Sequence, residues 1–258
     1  MSADALAIAT LILFGLAVGS FLNVCIHRIP RKGSIAYPPS SCPHCGYVLQ
    51  WYDNIPVISY LFVLGGRCGQ CRAPISIRYP IIELVTMVVF LAHYWVFGLD
   101  ILLISRLLFA CVLIVLFAID LEHHLLPNVI TLPGIVVGLA FSALGPPGLV
   151  DAFIGTLVGG GILWLMGEAY YRYSGQEGMG GGDVKMLAMI GAFLGWKLVV
   201  LTLVLSSMLG ALVGVLVLAL RRGGLKYALP YGTFLSLAAL TASLAGTRIV
   251  DWYLGFYQ

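Results

Sequence analysis

ALAIATLILFGLAVGSFLNVCI, residues 5–26, runs for 22 positions without one charged side chain. A helix of that length covers roughly 33 Å, enough to cross a hydrocarbon core of about 30 Å. It is too long for the apolar core of a cleavable signal peptide, about 7–15 residues, and Asp4 rather than a lysine precedes it. The run is therefore expected to remain as a membrane span. Its positive flank, Arg28, Arg31 and Lys32, follows it, which orients the helix with its N-terminus outside.

The rest of the chain repeats the pattern. Of 258 residues, 60% are hydrophobic and 10% charged, and mean hydropathy is +1.01. A soluble domain carries roughly 25% charged residues, so this composition has no water-facing surface to offer. The formal charge of +3 includes no basic run suited to nucleic acid. Eight apolar stretches read as spans: 5–26, 80–97, 101–119, 129–146, 151–171, 184–196, 198–220 and 229–247. The fold class is an all-α polytopic membrane protein of about eight helices with one small cytoplasmic domain. The sixth stretch is short and requires tilt, thinning or a buried geometry.

Charge tests this arrangement. With the N-terminus outside, segments 27–79, 120–128, 172–185 and 221–228 face the cytoplasm and carry eleven of the fourteen basic residues. Only Arg106, Lys197 and Arg248 fall elsewhere, as the positive-inside rule requires. The pairs Gly15/Gly19, Gly134/Gly138, Gly155/Gly159, Gly191/Gly195 and Gly210/Gly214 form GxxxG patterns inside spans, where they let helices approach closely.

The one long hydrophilic stretch, 27–79, holds Cys42-Pro-His-Cys45 and, after 22 intervening residues, Cys68-Gly-Gln-Cys71. Two CxxC knuckles at this separation supply four thiolates for a structural zinc ion, with no position left for a catalytic water. Gly46 and Gly69 are expected to help each turn fold back on the metal. Disulfides or spare thiols are the alternatives, and a reducing cytoplasm argues against the former. Cys25 and Cys111 lie in apolar spans and read as packing residues. The chain thus divides into a first helix (1–26), a cytoplasmic zinc-binding domain (27–79) and a membrane domain (80–258).

Eleven carboxylates exist, and two stand at span ends on the same expected face. Asp120 closes the third span in Phe117-Ala-Ile-Asp120, and Asp183 opens the sixth after Gly180-Gly-Gly. Two carboxyl groups in close approach share a proton, so one can deprotonate a water while the other donates to a scissile carbonyl. Glycines 180–182 are expected to leave room for an extended peptide backbone. Either aspartate can instead be simply solvated, and Asp183 can cap a helix. An ion-coupled transporter with an aspartate-lined path is a second reading of the pair. A non-catalytic membrane scaffold is a third.

Taken together these residues resemble the type IV prepilin peptidase family of bacterial inner membranes, over nearly the whole chain. The carriers of the resemblance are Gly19-Ser-Phe-Leu-Asn-Val-Cys-Ile-His-Arg-Ile-Pro30, the double CxxC and Arg78-Tyr-Pro-Ile-Ile-Glu83. To them add Asp120 with Leu126-Pro-Asn128, the GxGD motif ending at Asp183 before Val-Lys-Met-Leu-Ala, and Pro230-Tyr-Gly-Thr-Phe234. The resemblance implies an aspartyl peptidase, with Asp120 and Asp183 catalytic, that removes a basic leader from prepilins and type II secretion pseudopilins. It further implies N-methylation of the new terminal amine with S-adenosyl-L-methionine as donor, and an active site facing the cytoplasm. No glycine fingerprint for that donor is present after any strand. Glu83, Glu122 and Glu177 are candidates for holding a basic leader, with interfacial solvation as the alternative.

Overall fold

The computed structural model describes residues 3–176, 178–220 and 229–257. Seven helices follow in chain order: α1 (Ala3–Arg28), α2 (Arg78–Phe97), α3 (Ile101–His123), α4 (Asn128–Leu144), α5 (Leu149–Ser174), α6 (Gly181–Leu220) and α7 (Tyr231–Leu254). Among the described residues extended structure is limited to two isolated bridges, Ser41 with Val48 and Arg67 with Pro74. Six of the helices are long and apolar enough to cross a bilayer, and α4 is a shorter apolar helix. Large apolar side chains such as Leu13, Leu157 and Leu212 are exposed on their outer faces, as lipid-facing positions require. The chain is a multi-pass membrane protein.

Two compact units divide it, Met1–Leu99 and Asp100–Gln258. In the first, α1 packs on α2 through the first GxxxG pair. A Cβ on Gly15 would lie 2.8 Å from the Cα of Met87, and one on Gly19 would lie 2.6 Å from the Cα of Glu83. No side chain fits there, so the two backbones touch. The hydrophilic stretch between the helices forms a small metal-knuckle domain with short helical turns at Trp51–Asn54 and Ser59–Val63.

In the second unit α6 is central, flanked by α4, α5 and α7. Its buried run Met186–Leu194 meets Phe109, Leu113 and Leu116 of α3 and Leu235, Ala239 and Ala242 of α7. Phe109 stacks on Phe193 with ring centroids 4.7 Å apart. Gly155 and Gly159 of α5 press against the carbonyls of Gly191 and Leu187, too closely for any side chain. Gly134 of α4 packs closely against the Met189 side chain and Gly138 against those of Phe193 and Ala192, whereas Gly210 and Gly214 make only ordinary contact.

The sixth and seventh expected spans are one 40-residue helix interrupted at Gly195, where φ is 80°. The boundary therefore falls at Gly195, and Gly191/Gly195 is not a packing pair inside one span. Gly195 is the break itself, in a conformation that only glycine adopts without strain. The broken turn frees backbone carbonyls that lipid cannot satisfy. Arg106 of α3, 5% exposed, donates to the carbonyl of Phe193 at 3.0 Å, and Ser142 of α4 donates to that of Ala192 at 2.8 Å. With the break, the apolar helical runs among the described residues number eight, as the eight apolar stretches implied. The first half of α6, Gly181–Leu194, is about 21 Å long and shorter than a bilayer core. Arg221, Arg222 and Lys226, part of the charge argument, lie outside the described residues.

Candidate active site

The second unit holds a cavity of about 710 Å³ where α3 ends and α6 and α7 begin. It is lined by both Asp120 and Asp183, so residues 63 positions apart in sequence meet in one place. Asp120 is 4% exposed and Asp183 half-buried, and the two carboxylates are near enough to interact electrostatically.

Local sequence explains how each acid is held. Helix α3 ends one turn after Asp120, where His124 adopts a left-handed conformation (φ 51°) and donates its N–H to the Asp120 carbonyl. The chain then turns through Leu126 and Pro127 into α4, and buried Leu126 packs under the site. Asp183 lies in the first turn of α6, which begins at Gly181; it is not the cap of that helix.

Thr233, near the start of α7, donates to Asp120 Oδ2 twice, from its N–H at 2.7 Å and from Oγ1 at 3.1 Å. Both donors occupy one oxygen. Oδ1 of Asp120 receives neither of them. Lys185 donates to Asn128 Oδ1 at 2.9 Å and ties α6 to α4 along the cavity wall. Tyr231, also on that wall, lies 3.1 Å from Ser206 of α6. None of these residues had been given a role from sequence. The signal for Thr233 was present in Pro230-Tyr-Gly-Thr-Phe234, but a motif does not say which acid its hydroxyl reaches.

The glycine loop serves packing more than access. A Cβ on Gly180 would sit 3.0 Å from Asp183 Oδ2, and one on Gly182 would sit 3.0 Å from the Cβ of Leu126. Only Gly181 faces open space, so the expectation of a cleared peptide channel along 180–182 holds for that position alone. Gly232 is as crowded: its Cβ would come within 2.9 Å of Leu126 and 3.0 Å of Asp120 Oδ2. Of the acids considered for a basic leader, Glu122 is exposed 3.9 Å from His123, and Glu83 belongs to the first unit. Glu177 lies outside the described residues.

In the first unit the four knuckle sulfurs of Cys42, Cys45, Cys68 and Cys71 lie within 4.8 Å of one another. Cys42 and Cys71 are 3.8 Å apart, and Cys45 and Cys68 are 3.9 Å apart. Four thiolates about 2.3 Å from a central tetrahedral ion stand about 3.8 Å from each other, so the cluster fits a metal ion. Each knuckle closes alike: Cys42 N–H donates to Tyr47 O, and Cys68 N–H donates to Ala73 O, both at 2.8 Å. The left-handed turn position is Gly46 (φ 73°) in the first knuckle but Arg72 (φ 60°) in the second; Gly69 does not take that role. Backbone N–H groups of Cys71 and Gln70 facing the Cys68 sulfur push its thiol down to about 6, while the Cys45 thiol beside it is pushed up to about 11, so the neighbouring sulfurs share protons. Cys25 is buried in α1 and Cys111 half-buried in α3, and neither is a member of the sulfur cluster. Asp53 is buried and accepts from Tyr47 Oη and from Gln50 N–H, each at 3.0 Å, bracing the domain.

Comparison with known proteins follows the same division. The bacterial peptidase A24 N-terminal domain matches residues 13–97, and the type IV leader peptidase family matches residues 107–215. A protein of Pseudomonas aeruginosa named prepilin leader peptidase/N-methyltransferase is 38% identical, over 95% of this chain and 92% of its own length. Proteins of the same name from Aeromonas hydrophila (39% identical, over 94% and 92%) and Legionella pneumophila (37%, over 95% and 94%) are similarly related. No solved structure matches. With two such domains in this order and relatives matched over nine-tenths of their length, the chain belongs to the type IV leader peptidase family.

Proposed function

We propose that this chain is a bifunctional enzyme of the bacterial inner membrane that cleaves the basic leader of prepilins and pseudopilins and N-methylates the terminus so exposed. The names of its relatives support both activities. Family membership sets aside the transporter and scaffold readings. The observation that carries the peptidase is the meeting of Asp120 and Asp183 in one cavity at helix ends.

In this reading the aspartates act as a unit. One carboxylate takes a proton from water as the oxygen attacks the scissile carbonyl, and the other donates to the carbonyl oxygen. As the tetrahedral intermediate collapses, the departing nitrogen takes a proton back from the pair. Thr233 holds Asp120 Oδ2 so that the acid presents a fixed oxygen. Burial excludes bulk water and strengthens each of these interactions. The positive-inside distribution supports a cytoplasm-facing site, where the basic leader of a substrate starts.

The four cysteines hold one structural zinc ion, which staples segment 27–79 between α1 and α2 of the first unit. Zinc supplies folding energy there, with no open coordination position for chemistry. S-adenosyl-L-methionine supplies the methyl group for the second activity. Incubating purified enzyme with a prepilin, with and without S-adenosyl-L-methionine, and weighing the products intact tests both halves. The expected products are mature pilin in both tubes and a methylated terminus only where the donor is present. An uncut prepilin overturns the peptidase, and a free amine despite ample donor leaves a peptidase only.

A further inference from the structure

The first unit contains a second cavity, of about 410 Å³, lined by residues of α1, α2 and the knuckle domain. Its position follows from the helix seam. Because Gly19 brings the α1 backbone against the Cα of Glu83, the Glu83 side chain emerges beside Ser20 and Asn23, one turn apart on α1. Glu83 is 7% exposed. It accepts from Val57 N–H at 2.8 Å and from the Ser20 side chain. Among the described residues no cation forms an ion pair with it. A buried carboxylate without a counter-charge is costly unless a ligand supplies one.

Asn23 gives a second and independent sign. It is 2% exposed, and its Nδ2 donates to the carbonyls of Tyr79 (3.0 Å) and Gly19 (3.3 Å). Its Oδ1 is buried and has no donor. Buried amide oxygens are nearly always satisfied, so this one marks a place for an incoming N–H or O–H. Arg28 lines the same cavity as a cation, its guanidinium donating to the carbonyls of Ser34 at 2.9 Å and Pro38 at 2.6 Å. A volume of this size falls in the range of small-molecule sites.

We infer that this cavity binds the methyl donor, with Glu83 facing the cationic methionyl portion of S-adenosyl-L-methionine and Asn23 Oδ1 accepting from one of its N–H groups. The inference rests on the methyltransferase reading above and adds a location and two recognition residues. The requirements of the ligand match the wall: a zwitterionic amino acid end with a sulfonium needs acceptors, a carboxylate and a nearby cation together. The cavity of the second unit is occupied with hydrolysis, and its wall offers the acid pair to a water.

The test is equilibrium dialysis of radiolabelled S-adenosyl-L-methionine against the full-length protein in detergent. Glu83→Gln keeps the shape and removes the charge; Val24→Phe puts a bulky apolar side chain on the cavity wall and alters none of its polar residues. Each is expected to weaken binding about tenfold or more, with zinc content and a monodisperse elution profile as checks of folding. Photocrosslinking of the labelled donor to the unaltered protein, followed by peptide mapping, needs no variant, and the label is expected within residues 20–28 or 73–83. Unchanged affinity in both folded variants, or label confined to 100–258, overturns this site while the methyltransferase stands. A wild-type protein that neither binds the donor nor methylates a pilin removes the methyltransferase reading, and the site with it.

Discussion

The two cavities differ in how their walls are assembled. The second unit's acid site takes one carboxylate from the end of α3, another from the start of α6 and a pair of donors from α7. The first unit's cavity lies on a seam between two helices, beside a domain closed by four cysteines. The first arrangement depends on the ends of three packed helices, the second on a glycine seam and a small domain closed around four cysteines. Each should therefore fail in its own way, and the following experiments set one against the other.

The largest effect is expected at the acids. General acid–base catalysis contributes about 10²–10⁴-fold, and groups that act as a unit lose nearly everything with one member. Asp120→Asn and Asp183→Asn should each abolish cleavage, while the double variant is scarcely worse than either. Additive losses in a double-mutant cycle of cleavage rates would mean that the two acids work separately.

Next comes the metal. Metal analysis should find about one zinc per chain, lost when Cys42 and Cys45 are both replaced by serine. Because the binding energy of a structural zinc is folding energy, donor binding and methylation should fall with it. Four oxidised, metal-free thiols in cytoplasm-facing vesicles would contradict this.

A smaller change is expected at Thr233. Thr233→Val removes the hydroxyl but keeps the backbone donor, and a hydrogen bond to a charged group contributes about 1.5 kcal/mol or more. Cleavage should slow roughly tenfold, with methylation untouched. Gly232→Ala should act in the same direction, since its Cβ meets Leu126 and Asp120 Oδ2. A rate equal to wild type in both would show that the orientation of Asp120 is not limiting. At the foot of the scale, Glu122→Gln alters an exposed side chain. It should cleave within about twofold of wild type, as surface changes within about 0.5 kcal/mol imply.

Legibility in the sequence followed the range of the interactions. The spans were readable because lipid imposes one rule on every residue of a helix, and the knuckles because a metal fixes ligand spacing within a few residues. The break in α6 was misplaced by about two residues because hydropathy is blind to φ; only the fold shows that Gly195 bends while Gly191 packs. The left-handed turn of the second knuckle at Arg72 was hidden because glycine is the usual occupant and Gly69 stood nearby. Thr233 could not be joined to Asp120 from sequence, since 113 residues separate them. Asn23 carried no signal either, because an unsatisfied acceptor exists only once the fold has closed around it.

The central claim is that hydrolysis belongs to the acid pair of the second unit and methyl transfer does not. Intact-mass analysis of the Asp183→Asn protein given two substrates with S-adenosyl-L-methionine tests it most directly. A full-length prepilin should keep the mass of its uncut form, while a pre-cleaved pilin should gain one methyl group at the wild-type rate. A cut prepilin, or a pre-cleaved pilin left unmethylated by a folded, zinc-loaded enzyme, would contradict it.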